Sequence, residues 1–270
     1  MRRKIAEGYE LAEGPVYDPR NNALYFVDIL GYKVIEVVDE KVEREYDTKS
    51  FVSAVALTDN ENILLIAEKD TLSYLNLEDG SIERKIKLNL PEGMRLNDGK
   101  VGPDGAFYVG SMGIDDDRTA KGKLYRITSE GAEALLEGLM IPNGMDWNEE
   151  DFYFTETSTA CIKRFDSKMN ERECYSFKGL SPDGMTISDN GIMYIALWGS
   201  GKVIAFDPRK HMIIGTYETD ERNTSCPVIG EGKLYVTTAA EGDARGSLYS
   251  FDINDIRKKV YTWEKQERQL

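Results

Sequence analysis

Histidine is almost missing from this chain. One residue, His211, stands among 270. That scarcity excludes zinc sites built from several histidines and speaks against a Ser-His-Asp triad. No GxSxG elbow is present either. His211 lies in the polar run DPRKH, which reads as a surface turn. Cysteine is scarce as well. Cys161, Cys174 and Cys226 are odd in number, widely spaced and free of any CxxC pattern. The expectation is three free, mostly buried thiols. No apolar run approaches the roughly 20 residues that span a bilayer. The opening MRRKIAEGYELAEGP carries positive charge but no apolar stretch of a secretory signal. The reading is a cytoplasmic protein with no membrane partner, and a monomer. Basic residues are in deficit, with 34 Lys and Arg against 48 Asp and Glu, a formal charge of −14. Such a surface repels phosphate backbones, so nucleic acid is not an expected partner. Gly199-Ser200-Gly201-Lys202 lacks the P-loop spacing and reads as a turn.

No composition shift or flexible linker divides the sequence. One domain over residues 1–270 is expected, since all-β chains of this length often form one. What the sequence does contain is a repeat. The β-rich runs ALYFVDI, NILLIAE, GAFYVGSM, DFYFTET, GIMYIALW and GKLYVTTA recur along it, bounded by Gly, Asp, Asn or Pro. A further strand-like run follows each: YKVIEVV, TLSYLNL, GKLYRIT, CIKRFD, GKVIAFD and GSLYSFD. A third element precedes each pair: EGPVYDP, SAVALTD, NDGKVGP, NGMDWNE, DGMTISD and SCPVIGE. These segments begin at Glu13, Ser53, Asn97, Asn143, Asp183 and Ser225, at spacings of 40, 44, 46, 40 and 42 residues. Several strands per unit at that period predict an all-β, six-bladed propeller with four-stranded antiparallel blades. Each blade alone exposes two apolar faces, so the ring must close. Residues 3–10 and the tail around KKVYTWE are both candidates for the closing strand.

In a propeller the first strand of each blade runs along the central channel. Repeat-equivalent residues at its start therefore converge at one end of the axis. Here all six such positions carry oxygen: Glu, Ser, Asn, Asn, Asp and Ser. Asn143-Gly144 and Asp183-Gly184 could instead be hairpin turns. The turns within blades fall later, however, at Asn21-Asn22, Asn60-Glu61, Asp104-Gly105 and Asn190-Gly191. Carboxylate and amide oxygens without His or Cys suit one hard divalent cation, Ca²⁺, Mg²⁺ or Mn²⁺, with Zn²⁺ still compatible. Glu13 and Asp183 supply charge, Asn143 a carbonyl oxygen, and Asn97 a further one. Arg95 stands two residues before Asn97, placed either to hold a substrate oxygen or to neutralise Asp98 or Asp183. Residues 113–122, GIDDDRTAKG, are read as a solvated loop or as a lid bringing Asp115 or Asp116 to a substrate.

These motifs together resemble the gluconolactonase, regucalcin and luciferin-regenerating enzyme family. The residues that carry the resemblance are Glu13-Gly14-Pro15, Arg95-x-Asn97-Asp98-Gly99-Lys100, Gly110-Ser111-Met112, Pro142-Asn143-Gly144, Pro182-Asp183-Gly184 and Thr224-Ser225-Cys226. Tyr17 stands where the family often has Trp. The resemblance implies a six-bladed propeller with one catalytic divalent metal. It implies Glu13, Asn143 and Asp183 as ligands, with Asp183 also in proton transfer. Arg95 and Asn97 would contact substrate, and an acidic residue near Asp115 would join them. The implied reaction is hydrolysis of a sugar lactone to the aldonic acid. Two other classes stay open: a metal-dependent esterase, phosphotriesterase or non-sugar lactonase, and a non-catalytic metal-binding propeller.

Overall fold

Alternation of aromatic and β-branched residues between turn residues produces strands almost everywhere. The computed structural model describes residues 1–114, 122–148, 151–257 and 259–263. They form a six-bladed β-propeller of four-stranded antiparallel sheets. Blades one to five are simple meanders over residues 12–47, 52–87, 94–139, 142–176 and 182–218. Blade six takes its three inner strands from residues 223–252 and its outer strand from Arg2–Tyr9. The N-terminus therefore closes the ring, with Arg2 opposite Phe251 and Tyr9 opposite Gly246. Among the described residues, no helix is long and apolar enough to cross a membrane.

The apolar core lies between blades, as the two-faced strands require. Tyr25, Val27 and Val34 of blade one pack with Val55 and Ile66 of blade two. Ile162 of blade four packs with Met185 and Ile195 of blade five. Phe26 and Ile35 of blade one meet Val228 and Leu248 of blade six. Each such side chain contributes roughly 1.5–3 kcal/mol on burial, and none of it is available to a blade standing alone.

The innermost strands carry a feature that decides the site. In every blade, the pairing of first and second strands breaks register just at the oxygen-bearing position. The shifts fall between Glu13 and Val16, Val52 and Ala54, Leu96 and Gly99, Pro142 and Met145, Pro182 and Met185, and Thr224 and Pro227. A bulge leaves residues unpaired and re-aims their side chains. With six such breaks at equivalent positions, blades one, three, four and five bring Glu13, Asn97, Asn143 and Asp183 to one cleft. The glycines after Asn143 and Asp183 belong to these bulges rather than to hairpin turns. A Cβ on Gly144 would lie 2.5 Å from the Met185 nitrogen, and one on Gly184 would lie 2.7 Å from Cys226 Cα. Adjacent inner strands approach too closely there for any side chain.

The other end of the axis is crossed by the C-terminal segment. Ile256 accepts a hydrogen bond from Asp189 N, and the Trp263 backbone pairs with Leu57 and Asp59. Arg257 donates to Ile187 O at 2.8 Å and forks onto Asp146, with Nη2 to Oδ1 at 2.7 Å. Asp146 also receives Lys100 Nζ at 3.2 Å. Burial alone would raise the Asp146 pKa, but Arg257 and Lys100 outweigh it and hold the carboxyl down at about 2. The tail thus ties blades two, four and five together beneath the channel.

Two sequence expectations meet the cysteines and the histidine. The free-thiol reading fails for two of the three cysteines: Cys161 and Cys174 form a disulfide. They lie on the paired third and outer strands of blade four, where the hairpin brings their Cα atoms to 5.9 Å despite a sequence separation of 13. Cys226 is free and buried. His211 is exposed and faces Glu173 at 3.1 Å.

Candidate active site

The bulged ends of the inner strands form the floor of a cleft of about 200 Å³. Glu13, Arg95, Asn97, Asn143 and Asp183 all line it. Each is less than a tenth exposed. The predicted ring is thus assembled from blades one, three, four and five. Ser53 and Ser225 stand at equivalent positions but are wholly buried and bond to backbone instead, Ser53 to Ala67 O and Ser225 to Ala12 O. Asp115, a predicted substrate contact, lies outside the described residues.

A chain of hydrogen bonds runs across three blades along this floor. Arg95 Nη1 donates to Leu96 O at 2.9 Å and to Asn97 Oδ1 at 2.7 Å. Asn97 Nδ2 donates to Pro142 O at 2.8 Å and to Asn143 Oδ1 at 2.6 Å. Asn143 Nδ2 donates to Thr157 Oγ1 at 2.8 Å, and Thr157 Oγ1 to Pro182 O at 2.6 Å. Both donors of Asn97 and the carbonyl orientation of Asn143 are therefore fixed. The Asn143 oxygen keeps a second lone pair. Glu13 accepts from Gly14 N at 2.9 Å, and Asp183 accepts from the N–H of Gly184. Each carboxylate is held back against the bulge that carries it.

The electrostatics are those of a site wanting positive charge. Burial raises the Glu13 pKa well above its ordinary value, and Asp98 and Asp183 add repulsion. Burial likewise raises Asp183, with Asp98 adding to it. Asp98 is pushed up to about 6 by burial, against the pull of Lys100 and Arg95. Arg95 itself is lowered to about 10 by burial and stays cationic at neutral pH. Three carboxyls thus crowd the centre, with Arg95 acting on Glu13 and Asp98, and Lys100 on Asp98. Buried carboxyls in such surplus either take up protons or hold a cation. An oxygen-only donor set of Glu13, Asn143 and Asp183 fits a hard divalent ion.

The walls hold residues that sequence reasoning missed. Ile29, Met112, Thr157 and Trp198 line the cleft, and each is the last residue of one of the repeated runs ALYFVDI, GAFYVGSM, DFYFTET and GIMYIALW. A second ring, from the ends of the second strands, thus surrounds the first. The same repeat alignment holds that signal. Its members are mostly apolar, so no chemistry draws attention to them. Leu11 and Ile141 complete the apolar part of the wall.

A six-bladed propeller with an oxygen-lined centre at one end of its axis defines a class of proteins, and known proteins place the chain within it. The family model described as "SMP-30/Gluconolactonase/LRE-like region" matches residues 11–240. The chain belongs to that family. It is 32% identical over 248 residues to the Bacillus subtilis protein named "Putative sugar lactone lactonase YvrE", covering 86% of this chain and 84% of that one. It is 28% identical over 281 residues to pentonolactonase XacC of Haloferax volcanii, covering 94% of each. A solved luciferin-regenerating enzyme superposes with a TM-score of 0.89 at 21% identity, over 98% of this chain and 99% of that one, and so shares the fold.

Proposed function

We propose that this chain is a divalent-metal-dependent lactonase that opens a sugar lactone to its aldonic acid. The observation that carries the reading is the floor of the cleft, where buried Glu13 and Asp183, both with raised pKa, stand with an oriented Asn143. Relatives named as lactonases at up to 32% identity support the substrate class. Glu13, Asn143 and Asp183 would hold the ion. A bound divalent ion supplies Lewis acidity toward the lactone carbonyl and acidifies water near it, an effect worth several kcal/mol.

The remaining steps fall to the chain's own groups. Asp183 takes a proton from the attacking water as that water's oxygen bonds to the carbonyl carbon. It returns the proton to the ring oxygen as the ester C–O bond breaks, which leaves an acid and a hydroxyl. General-base help of this kind typically gives about 10²–10⁴-fold. Arg95 stays charged and faces the substrate oxygens. Asn97 has spent its donors, so it meets a sugar hydroxyl through its carbonyl oxygen and otherwise holds Asn143 in place. The apolar walls keep bulk water away and strengthen these contacts. Asp115, which lies outside the described residues, would add a further substrate contact.

A second reading draws on those walls. Leu11, Ile29, Met112, Ile141 and Trp198 offer apolar surface to a substrate, which favours a lactone or aryl ester with an apolar face. The deciding experiment is a panel of aldonolactones, alkyl lactones and aryl esters, followed by acid release with several divalent ions. Turnover of aldonolactones that chelation abolishes is the expected result. Turnover confined to aryl esters would support the second reading. Tight metal binding without turnover of anything would leave a non-catalytic binding protein.

A further inference from the structure

Behind the floor of the cleft lies a second, smaller space. It is an axial cavity of about 70 Å³, lined by residues of the inner strands and, from the C-terminal segment, by Arg257, Val260 and Tyr261. Asp98 and Cys226 line this cavity and not the cleft, whereas Glu13 lines the cleft. The ligand atoms of all three nevertheless lie within 4.8 Å of one another. The group stands at the wall between the two spaces.

Asp98 is the anomaly. Only 6% of its surface is exposed, and its Oδ1 has no hydrogen-bond partner. Lys100 and Arg95 act on its charge through space, but their hydrogen bonds go elsewhere. Lys100 Nζ is shared between Asp146 Oδ2 and Met185 O, each at 3.2 Å. Arg95 is turned to Leu96 O and Asn97. Cys226 Sγ has one weak contact, to Pro227 O at 3.9 Å. A buried carboxylate oxygen left without a hydrogen-bond partner keeps its full desolvation penalty. A fold that keeps it must supply a partner. The cavity exceeds the roughly 10–15 Å³ that one small occupant needs.

We propose that Asp98, Cys226 and Glu13 form a second cation site inside the channel, taking a thiophilic divalent ion such as Zn²⁺. The mixed sulfur and oxygen set selects such an ion over Ca²⁺ or Mg²⁺. Tetrahedral bonds of about 2.0–2.3 Å set ligand atoms roughly 3.5 Å apart, so closure asks for about an ångström of movement spread over three side chains. Glu13 is common to this site and to the mouth site proposed above. The inner ion is therefore a neighbour of the reaction rather than part of it. It neutralises the channel and ties blades one, three and six together at their bulges.

The test uses Co²⁺ as a spectroscopic substitute on chelator-stripped full-length protein. Stoichiometry is followed by equilibrium dialysis, and thiolate ligation by its near-ultraviolet charge-transfer band. The wild type should bind two ions per chain and develop the band. Cys226→Ser should bind one and show no band, while Asp183→Asn should weaken the mouth site and keep the band. A wild type that binds one ion with no thiolate band would overturn this proposal and leave the mouth site standing. A wild type that binds no ion would overturn both. The wild-type spectrum decides the matter even if a variant fails to fold.

Discussion

Replacing Asp98 with Asn should stabilise the metal-free protein at neutral pH, against the usual rule that buried polar residues are costly to change. In the folded protein the Asp98 carboxyl is pushed from 3.8 up to about 6. At about 1.36 kcal/mol per pH unit, keeping it ionised in the fold costs roughly 3 kcal/mol. The sign follows from proton counts. Between pH ~4 and ~6 the folded state holds a proton that the unfolded state has released, so stability falls as pH rises through that window. Above it the full cost applies. The substituted amide has nearly the same shape as the carboxylate and no charge, so it avoids the cost. Burial raises Glu13 and Asp183, and Asp98 adds to both, so relief of that repulsion acts in the same direction. At about 2–4 °C per kcal/mol for a chain of this size, Asp98→Asn should melt roughly 6–12 °C above wild type in chelator at pH 7.5. The gap should close at pH 4, where the folded wild type holds the proton and the cost is gone. Thermal unfolding by circular dichroism across that range measures it. An Asp98→Asn protein that melts at or below wild type at pH 7.5 in chelator would refute the electrostatic account of the channel.

Other perturbations separate the parts. Thr157→Val cuts the link from Asn143 to Pro182 O, and should weaken binding of the mouth ion about 10–100-fold with little change in melting temperature. Calorimetric titration of the stripped protein measures this, and unchanged affinity would remove Thr157 from the site. Arg257→Met leaves buried Asp146 with Lys100 and the backbone N–H groups of Ile187 and Trp147, and should cost about 3–5 kcal/mol, near the lower end. Its kcat and KM at low temperature should match wild type, because the tail lies at the opposite end from the cleft. Gly184→Ala places a methyl against Cys226 and should cost about 1–3 kcal/mol. A neutral effect in denaturant unfolding would mean the inner strands can spread apart.

The blades are legible in sequence because the strand pattern repeats and each repeat must stack on the next. The ring of Glu13, Asn97, Asn143 and Asp183 is legible for the same reason: equivalent residues in a closed ring share one level. The bulges are not, since a register break leaves no mark in composition, although glycine after Asn143 and Asp183 is its trace. Closure by Arg2–Tyr9 rather than by the tail could not be chosen, because both segments have strand-like composition. The tail's actual work rests on Arg257 meeting Asp146 across 111 residues, a pairing that no local pattern encodes. Cys161 and Cys174 look isolated because sequence distance hides a hairpin. Nearness in sequence offers Asp98 as a partner for Arg95, whereas the structure turns Arg95 toward Asn97 and leaves Asp98 Oδ1 unpartnered.

The central claim is that Glu13, Asn143 and Asp183 hold an ion on which lactone opening depends. Initial rates of aldonolactone hydrolysis test it most directly, measured for wild type and Asp183→Ala, after chelation and after return of a divalent ion. Wild type should lose turnover on chelation and recover it with the ion, while Asp183→Ala should bind the ion poorly and recover nothing. Full activity in the chelated wild type, or in Asp183→Ala, would contradict the account.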